Sequence, residues 1–251
     1  VGSEMCIRDR PWIMRKYVWD ATGDDSFLIG HPTGILSMVS GFVAKRVGNK
    51  EKSTEDLKVP ENLSFFREIS ITGALVMFLM NIVVGIIAPV LVPEGGNLVM
   101  FAVQAGLNFG AGLLIMLYGV RLLINQIIPA FQGIAEKVVP GAKPAFDVPI
   151  LFNYRPNAVI IGFIVAMITS TILVIIVNTT NVFGILIVPL VITSFFECGG
   201  AAVIGEGQGG LRGAVIGTIA ASFVMVLLVG VSAVLFSTTT VSYTHLRAHE
   251  T

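Results

Sequence analysis

Twenty-four consecutive residues without a single charge, 69–92, set the terms on which this chain folds. As a helix the run rises about 36 Å, more than the roughly 30 Å hydrocarbon core of a bilayer. Residues 157–177 and 214–237 repeat the pattern. Charged residues make up only 13% of the 251-residue chain and hydrophobic ones 54%. An ordinary soluble domain carries about 25% charged residues, so a water-exposed globule of this composition lacks polar surface. The expected class is an all-α polytopic membrane protein, with transmembrane helices, re-entrant hairpins and interfacial amphipathic helices.

The spans are irregular. Residues 26–44 are apolar but punctuated by glycine, His31 and Pro32, which predicts a re-entrant hairpin arm or a helix with an unwound end. Residues 45–68 form the most hydrophilic internal stretch, with six Lys and Arg residues, and are assigned to the cytoplasm by the positive-inside rule. Residues 69–92 then cross outward, 93–97 make a tight outer turn, and 98–118 return, with Gly106, Gly110 and Gly112 suited to close helix packing. Residues 119–139 alternate apolar and polar positions at helical spacing, predicting a separate amphipathic helix at the membrane interface, kinked near Pro129. After a Pro/Gly-rich segment, residues 157–177 span, 182–196 are too short for an ordinary crossing, 199–213 form a glycine-rich loop, and 214–237 span again. Breaks of this kind are tolerated in a bilayer only where protein buries the backbone or water lines it, and transporters use them to place groups at a substrate.

Both ends read as foreign. Residues 1–10 and most of 238–251 are abrupt polar strings, adapter-like and expected to be disordered, leaving 11–237 as a partial transmembrane domain of a protein expected to continue past both ends. No signal peptide is expected. Formal net charge is zero at pH 7, so nothing points to nucleic acid. Cys6 and Cys198 provide neither a metal spacing nor a disulfide framework; no metal, no cofactor and no catalytic residue is expected.

Two broken regions carry ionisable side chains. In a membrane such residues default to function, so His31 is a candidate donor or acceptor for a ligand; the alternative is a structural histidine capping a helix. Thr33 beside it adds a hydroxyl. Asp147, between Pro144 and Pro149 where helix is disfavoured on both sides, is either a carboxylate accepting from ligand hydroxyls at the tip of a re-entrant loop or the acceptor of an Asx-turn. Gln104 and Asn108, at i and i+4, suit an interhelical hydrogen-bond pair. Glu206 and Gln208 suit a gate or a solvated loop, Arg212 a topology anchor, and Cys198 a packing position.

The run INQIIPAFQGIAEKVVPGAKPAFDVPILFNYRPNAVIIGF (124–163), with IGHPTG (29–34), SFFREISITGALVMF (64–78) and GQGGLRGAVIG (207–217), resembles the ascorbate-specific enzyme IIC family of the sugar phosphotransferase system. The resemblance covers residues 11–237 in order. It implies a homodimeric permease of the bacterial inner membrane, built from a core domain and a V-shaped scaffold. It also implies transport of L-ascorbate or a related sugar, coupled to phosphorylation by separate IIB and IIA components. By the same resemblance His31, Pro32, Thr33 and Asp147 are the substrate-binding residues. A polar residue is expected after the histidine in ascorbate-selective members, and Pro32 departs from that, leaving the exact sugar open. Two other classes stand beside this reading: an ion-coupled secondary transporter with His31 and Asp147 as ion sites, and a channel or membrane scaffold.

Overall fold

The computed structural model describes residues 13–31, 34–57, 68–87, 96–137, 143–185, 187 and 190–248, with side chains described no further than residue 236. Pro32 and Thr33 lie outside the described residues. Helix α1 (13–22) leads through a polar turn into the two-residue strand β1 (Leu28–Ile29) and helix α2 (Gly34–Val47). Helices α3 (Ile69–Ile87) and α4 (Leu98–Lys137) follow. Strand β2 (Ala145–Phe146), a 3₁₀ segment (Val148–Asn153) and helix α5 (Pro156–Thr180) come next. The short helix α6 (Val191–Thr193), a π-helical turn (Ser194–Cys198) and α7 (Gly199–Ala248) complete the described fold. Helix α7 thus includes most of the C-terminal segment that the sequence reading sets apart.

Four helical stretches among the described residues have the length and apolarity to cross a membrane: Ile69–Ile86, Leu98–Phe131, Pro156–Thr180 and Val191–Phe236. The last is not one rod. Gly209 and Gly210 leave helical geometry, Gly210 with φ of +59°, and the chain folds back on itself. Cys198 Sγ comes within 3.7 Å of Ser222 Oγ and 3.9 Å of Met225 Sδ, contacts that only an antiparallel hairpin makes. A side chain at Gly210 would also run into the carbonyls of Asn49 and Lys52. The turn's backbone groups are met from the loop after α2: Asn49 N donates to Gly209 O at 2.9 Å and Leu211 N to Lys52 O at 2.7 Å. The glycine-rich segment 199–213, expected as a loop, is therefore helix on both sides of a two-residue turn. Glycine there serves close packing: α2 lies against both arms, with Ser40 Oγ donating to Ala201 O at 2.6 Å, as small-residue faces in membranes allow.

Residues 119–139 also depart from expectation. They do not form a separate interfacial helix but continue α4, which runs 40 residues with Pro129 inside it. At about 1.5 Å per residue that is about 60 Å, twice the hydrocarbon thickness. Proline deletes one donor and crowds one carbonyl, yet α4 stays helical through Pro129. The first half of α4 pairs antiparallel with α3, Gly110 opposite Ala74 and Ser70.

The core beneath the broken segments is aromatic. Phe195, fully buried, meets Phe152, Phe163, Phe109 and Phe196 edge-on at centroid distances of 5.4, 5.2, 6.1 and 5.2 Å, the geometry their ring quadrupoles favour. Outward positions of α5 such as Ile164, Ile168, Ile172 and Ile176 are exposed, forming an apolar face that suits lipid contact.

Candidate functional site

The two breaks are one structure. β1 and β2 pair in parallel, Leu28 with Ala145 and Ile29 with Phe146. Leu28 N donates to Pro144 O and Gly30 N to Phe146 O, each at 2.9 Å. The strands approach so closely at Gly30 that a Cβ there would sit 3.0 Å from that of Ala145. Each strand delivers an ionisable residue at its end: His31 after β1 and Asp147 after β2. His31 Nε2 lies 3.8 Å from Asp147 Oδ1. Asp147 caps the 3₁₀ segment, its Oδ1 accepting from Val148 N at 2.7 Å, yet its side chain remains 65% exposed. It therefore serves as a local cap while facing open space.

A third group completes the cluster. Glu197 stands on the π-helical turn, its side chain only 10% exposed, with Oε1 3.5 Å from His31 Nδ1. π-Helical turns insert one residue into a helix and re-aim the side chains beside it; this one is seated on the Phe195 cluster. Glu197 is not among the residues picked from the sequence. The signal was present: an acid inside an apolar stretch, between Phe195–Phe196 and a diglycine. What 3.6-residue periodicity does not reveal is where a π turn aims it.

His31, Asp147 and Glu197 border a cavity of about 560 Å³, within the usual 300–1,000 Å³ of small-molecule sites. Met116, Val120 and Ile127 of α4 form much of its apolar wall, with Phe146 and Phe196. Its depth follows from two helices. α2 climbs about 20 Å over its 14 residues from the His31 end, and the arm from Glu197 to Gln208 climbs roughly 17 Å. Both end at the same polar layer, so the cavity lies roughly 17–20 Å from it along these helices.

That polar layer is tightly tied. Glu206, its side chain 1% exposed, accepts from Ser53 Oγ at 2.5 Å, Thr54 N at 2.8 Å and Thr54 Oγ1 at 2.6 Å, with Arg155 Nη1 at 3.2 Å. Gln208 Nε2 donates to Asp20 at 2.9 Å. Neither is a solvated loop residue; both lock the hairpin tip to the loop after α2 and to α1. Glu55 caps α5 by accepting from Asn157 N at 3.0 Å, and burial pushes its carboxyl upward against the effect of that bond. Arg15 grips Asp25 with two bonds of 3.0 and 2.8 Å, joined by Lys143 at 2.6 Å. The Arg15 guanidinium, then Lys143, hold the Asp25 carboxyl well below its usual range. Tyr154 donates to Asp24 at 2.8 Å; burial, then that bond, push its phenol up.

Of the other candidates, Gln104 and Asn108 are exposed on α4, outside the cavity lining. Arg212 is exposed and Cys198 fully buried between the hairpin arms. Among the described residues no cluster suited to a metal ion occurs.

Residues 9–248 match the family described as PTS system sugar-specific permease component. The chain belongs to this family. It is also 28% identical over 225 residues to the ascorbate-specific PTS system EIIC component of Mycoplasma pneumoniae, an alignment covering 78% of this chain and 34% of that relative. The chain thus spans about a third of the length of the curated relative it matches. Family membership and four apolar, bilayer-length helical stretches make it a multi-pass membrane protein of the phosphotransferase system's permease class.

Proposed function

We propose that the chain forms the substrate-binding part of an enzyme IIC permease that carries L-ascorbate, or a closely related sugar, across the bacterial inner membrane. The observation that carries this reading is the meeting of His31 and Asp147, from distant parts of the chain, at the ends of paired strands beside a cavity of about 560 Å³. Asp147 accepts hydrogen bonds from substrate hydroxyls. His31 supplies the second polar contact, and the positive N-terminal end of α2, which starts at Gly34, lies next to it and offsets the carboxylates when the bound sugar is an enolate anion. The apolar wall from α4 covers the ring. In this reading the sugar is phosphorylated on the cytoplasmic side by a IIB partner recharged by IIA, the polar layer around Glu206 faces the cytoplasm, and the permease works as a homodimer.

Uptake of radiolabelled ascorbate by cells expressing the intact protein, with and without the cognate IIB, tests this. Uptake that needs IIB and is lost in His31→Ala and Asp147→Ala is the expected result. Uptake of another sugar with IIB keeps the class and changes the substrate. Uptake indifferent to IIB but dependent on pH replaces the reading with an ion-coupled transporter, for which the three adjacent ionisable groups are the supporting observation.

A further inference from the structure

We propose that Glu197 is a positioning residue of the binding site: its carboxylate holds the imidazole of His31 by Nδ1, so that Nε2 faces Asp147 and the cavity. With Nδ1 carrying the proton toward Glu197, Nε2 and Asp147 form a pair of neighbouring acceptors. That pair takes a ligand presenting two adjacent hydroxyl donors, the vicinal diol of a sugar or polyol. The inference rests on the reading of His31 and Asp147 as the substrate-binding groups and names which end of the substrate they take.

The geometry has three parts. The two ring nitrogens of His31 point in divergent directions, and the structure sets one carboxylate near each, Glu197 Oε1 at 3.5 Å from Nδ1 and Asp147 Oδ1 at 3.8 Å from Nε2. The two carboxylates differ in access. Both border the cavity, but Glu197 is 10% exposed and Asp147 65%, so a ligand entering it has far more of Asp147 and of the nitrogen beside it to contact than of Glu197. Lastly, torsion about the imidazole's own axis is broad and two-fold, so a histidine at a binding site needs a partner on its far nitrogen to fix ring and tautomer. Glu197 stands where that partner belongs, and the π-helical turn puts it there. A carboxylate within a membrane span is costly and is retained for a reason of this kind.

The test uses the intact protein in lipid nanodiscs, labelled with ¹⁵N-histidine. The His31 resonances, assigned by their loss in His31→Gln, report which ring nitrogen is protonated. The wild type is expected to show the proton on Nδ1; a proton on Nε2 alone overturns the proposal without any variant at position 197. Glu197→Met, similar in volume and without an acceptor, is expected to mix the two tautomers and weaken ascorbate binding about tenfold, the size of one lost hydrogen bond to a charged group. Glu197→Gln, which keeps an acceptor oxygen, is expected to restore most of both. A merely structural glutamate moves thermal stability but not the tautomer, and that outcome overturns the proposal. Binding of 5,6-O-isopropylidene ascorbate, whose diol is blocked, is expected to be far weaker than that of ascorbate; equal binding overturns the diol assignment. If the wild type binds no ascorbate but Glu197→Met still alters the His31 pattern, the substrate reading falls and the positioning role stands.

Discussion

Replacing Glu206 by alanine removes the acceptor on which the hairpin tip, the loop after α2 and the start of α5 converge. Three hydrogen bonds of 2.5–2.8 Å end on its carboxylate, and the Arg155 guanidinium lies 3.2 Å away. Hydrogen bonds to a charged group contribute about 1.5–3 kcal/mol each. The donors are not all stranded, because Arg155 is 27% exposed and also donates to Ala21 O at 2.8 Å. Thr54, by contrast, is fully buried, and its N–H and hydroxyl lose their acceptor outright. The expected loss is therefore about 3–5 kcal/mol, the range for breaking a buried ion pair by removing one partner. Over a unit of this size that lowers the melting temperature by roughly 10 °C. Glu206→Gln, which keeps one acceptor oxygen but turns an amide donor toward existing donors, is expected to lose about half as much. Melting of the purified intact protein in detergent, followed by fluorescence-detected size exclusion, reads both. A double-mutant cycle with Arg155→Ala then separates the ion pair from the Thr54 bonds. Wild-type melting in Glu206→Ala would refute the assignment of this carboxylate as the tie that holds the hairpin tip.

Other outcomes follow from the same geometry. Gly210→Ala places a side chain at positive φ against the Asn49 and Lys52 carbonyls; with ψ of −155° that backbone is open almost only to glycine, and a loss of at least about 1–3 kcal/mol is expected in the same melting assay. Phe195→Ala empties the centre of the aromatic cluster and is expected to cost about 3–5 kcal/mol; because Phe195 belongs to the π turn that carries Glu197, ascorbate affinity measured by calorimetry should fall with it. The carboxyl of Asp25 is held low by Arg15 and Lys143. Its contribution is thus fully present above the unfolded-state value of about 4 and is lost as pH falls below that toward the folded value. Melting temperatures recorded from pH 6 to pH 3 should therefore show a shallower acid decline in Asp25→Asn than in wild type.

Composition and local pattern were enough to class this chain as a multi-pass membrane protein and to pick out part of its candidate site. A membrane admits only backbones that satisfy themselves, so uncharged runs such as 69–92 announce spanning helices, and Gly–His–Pro and Pro–Ala–Phe–Asp–Val–Pro announce breaks. His31 and Asp147 were visible because ionisable residues at such breaks are rare. Other features were legible only in three dimensions. Proline at 129 reads as a helix end by local rules, yet α4 passes through it because its flanking turns remain helical. Residues 199–213 read as a loop because glycine is a poor helix former in water. Here glycine is what lets α2 and two antiparallel arms come close, and only Gly209 and Gly210 leave the helix. Glu197 stood out as an acid in an apolar stretch and Glu206 did not, but the roles of both come from the fold: from a π turn and the buried phenylalanines around it, and from donors over 150 positions away. Local chemistry specified which segments cross and where they break. Tertiary packing decided which breaks meet, because strand pairing and helix contact depend on surfaces that no single segment contains.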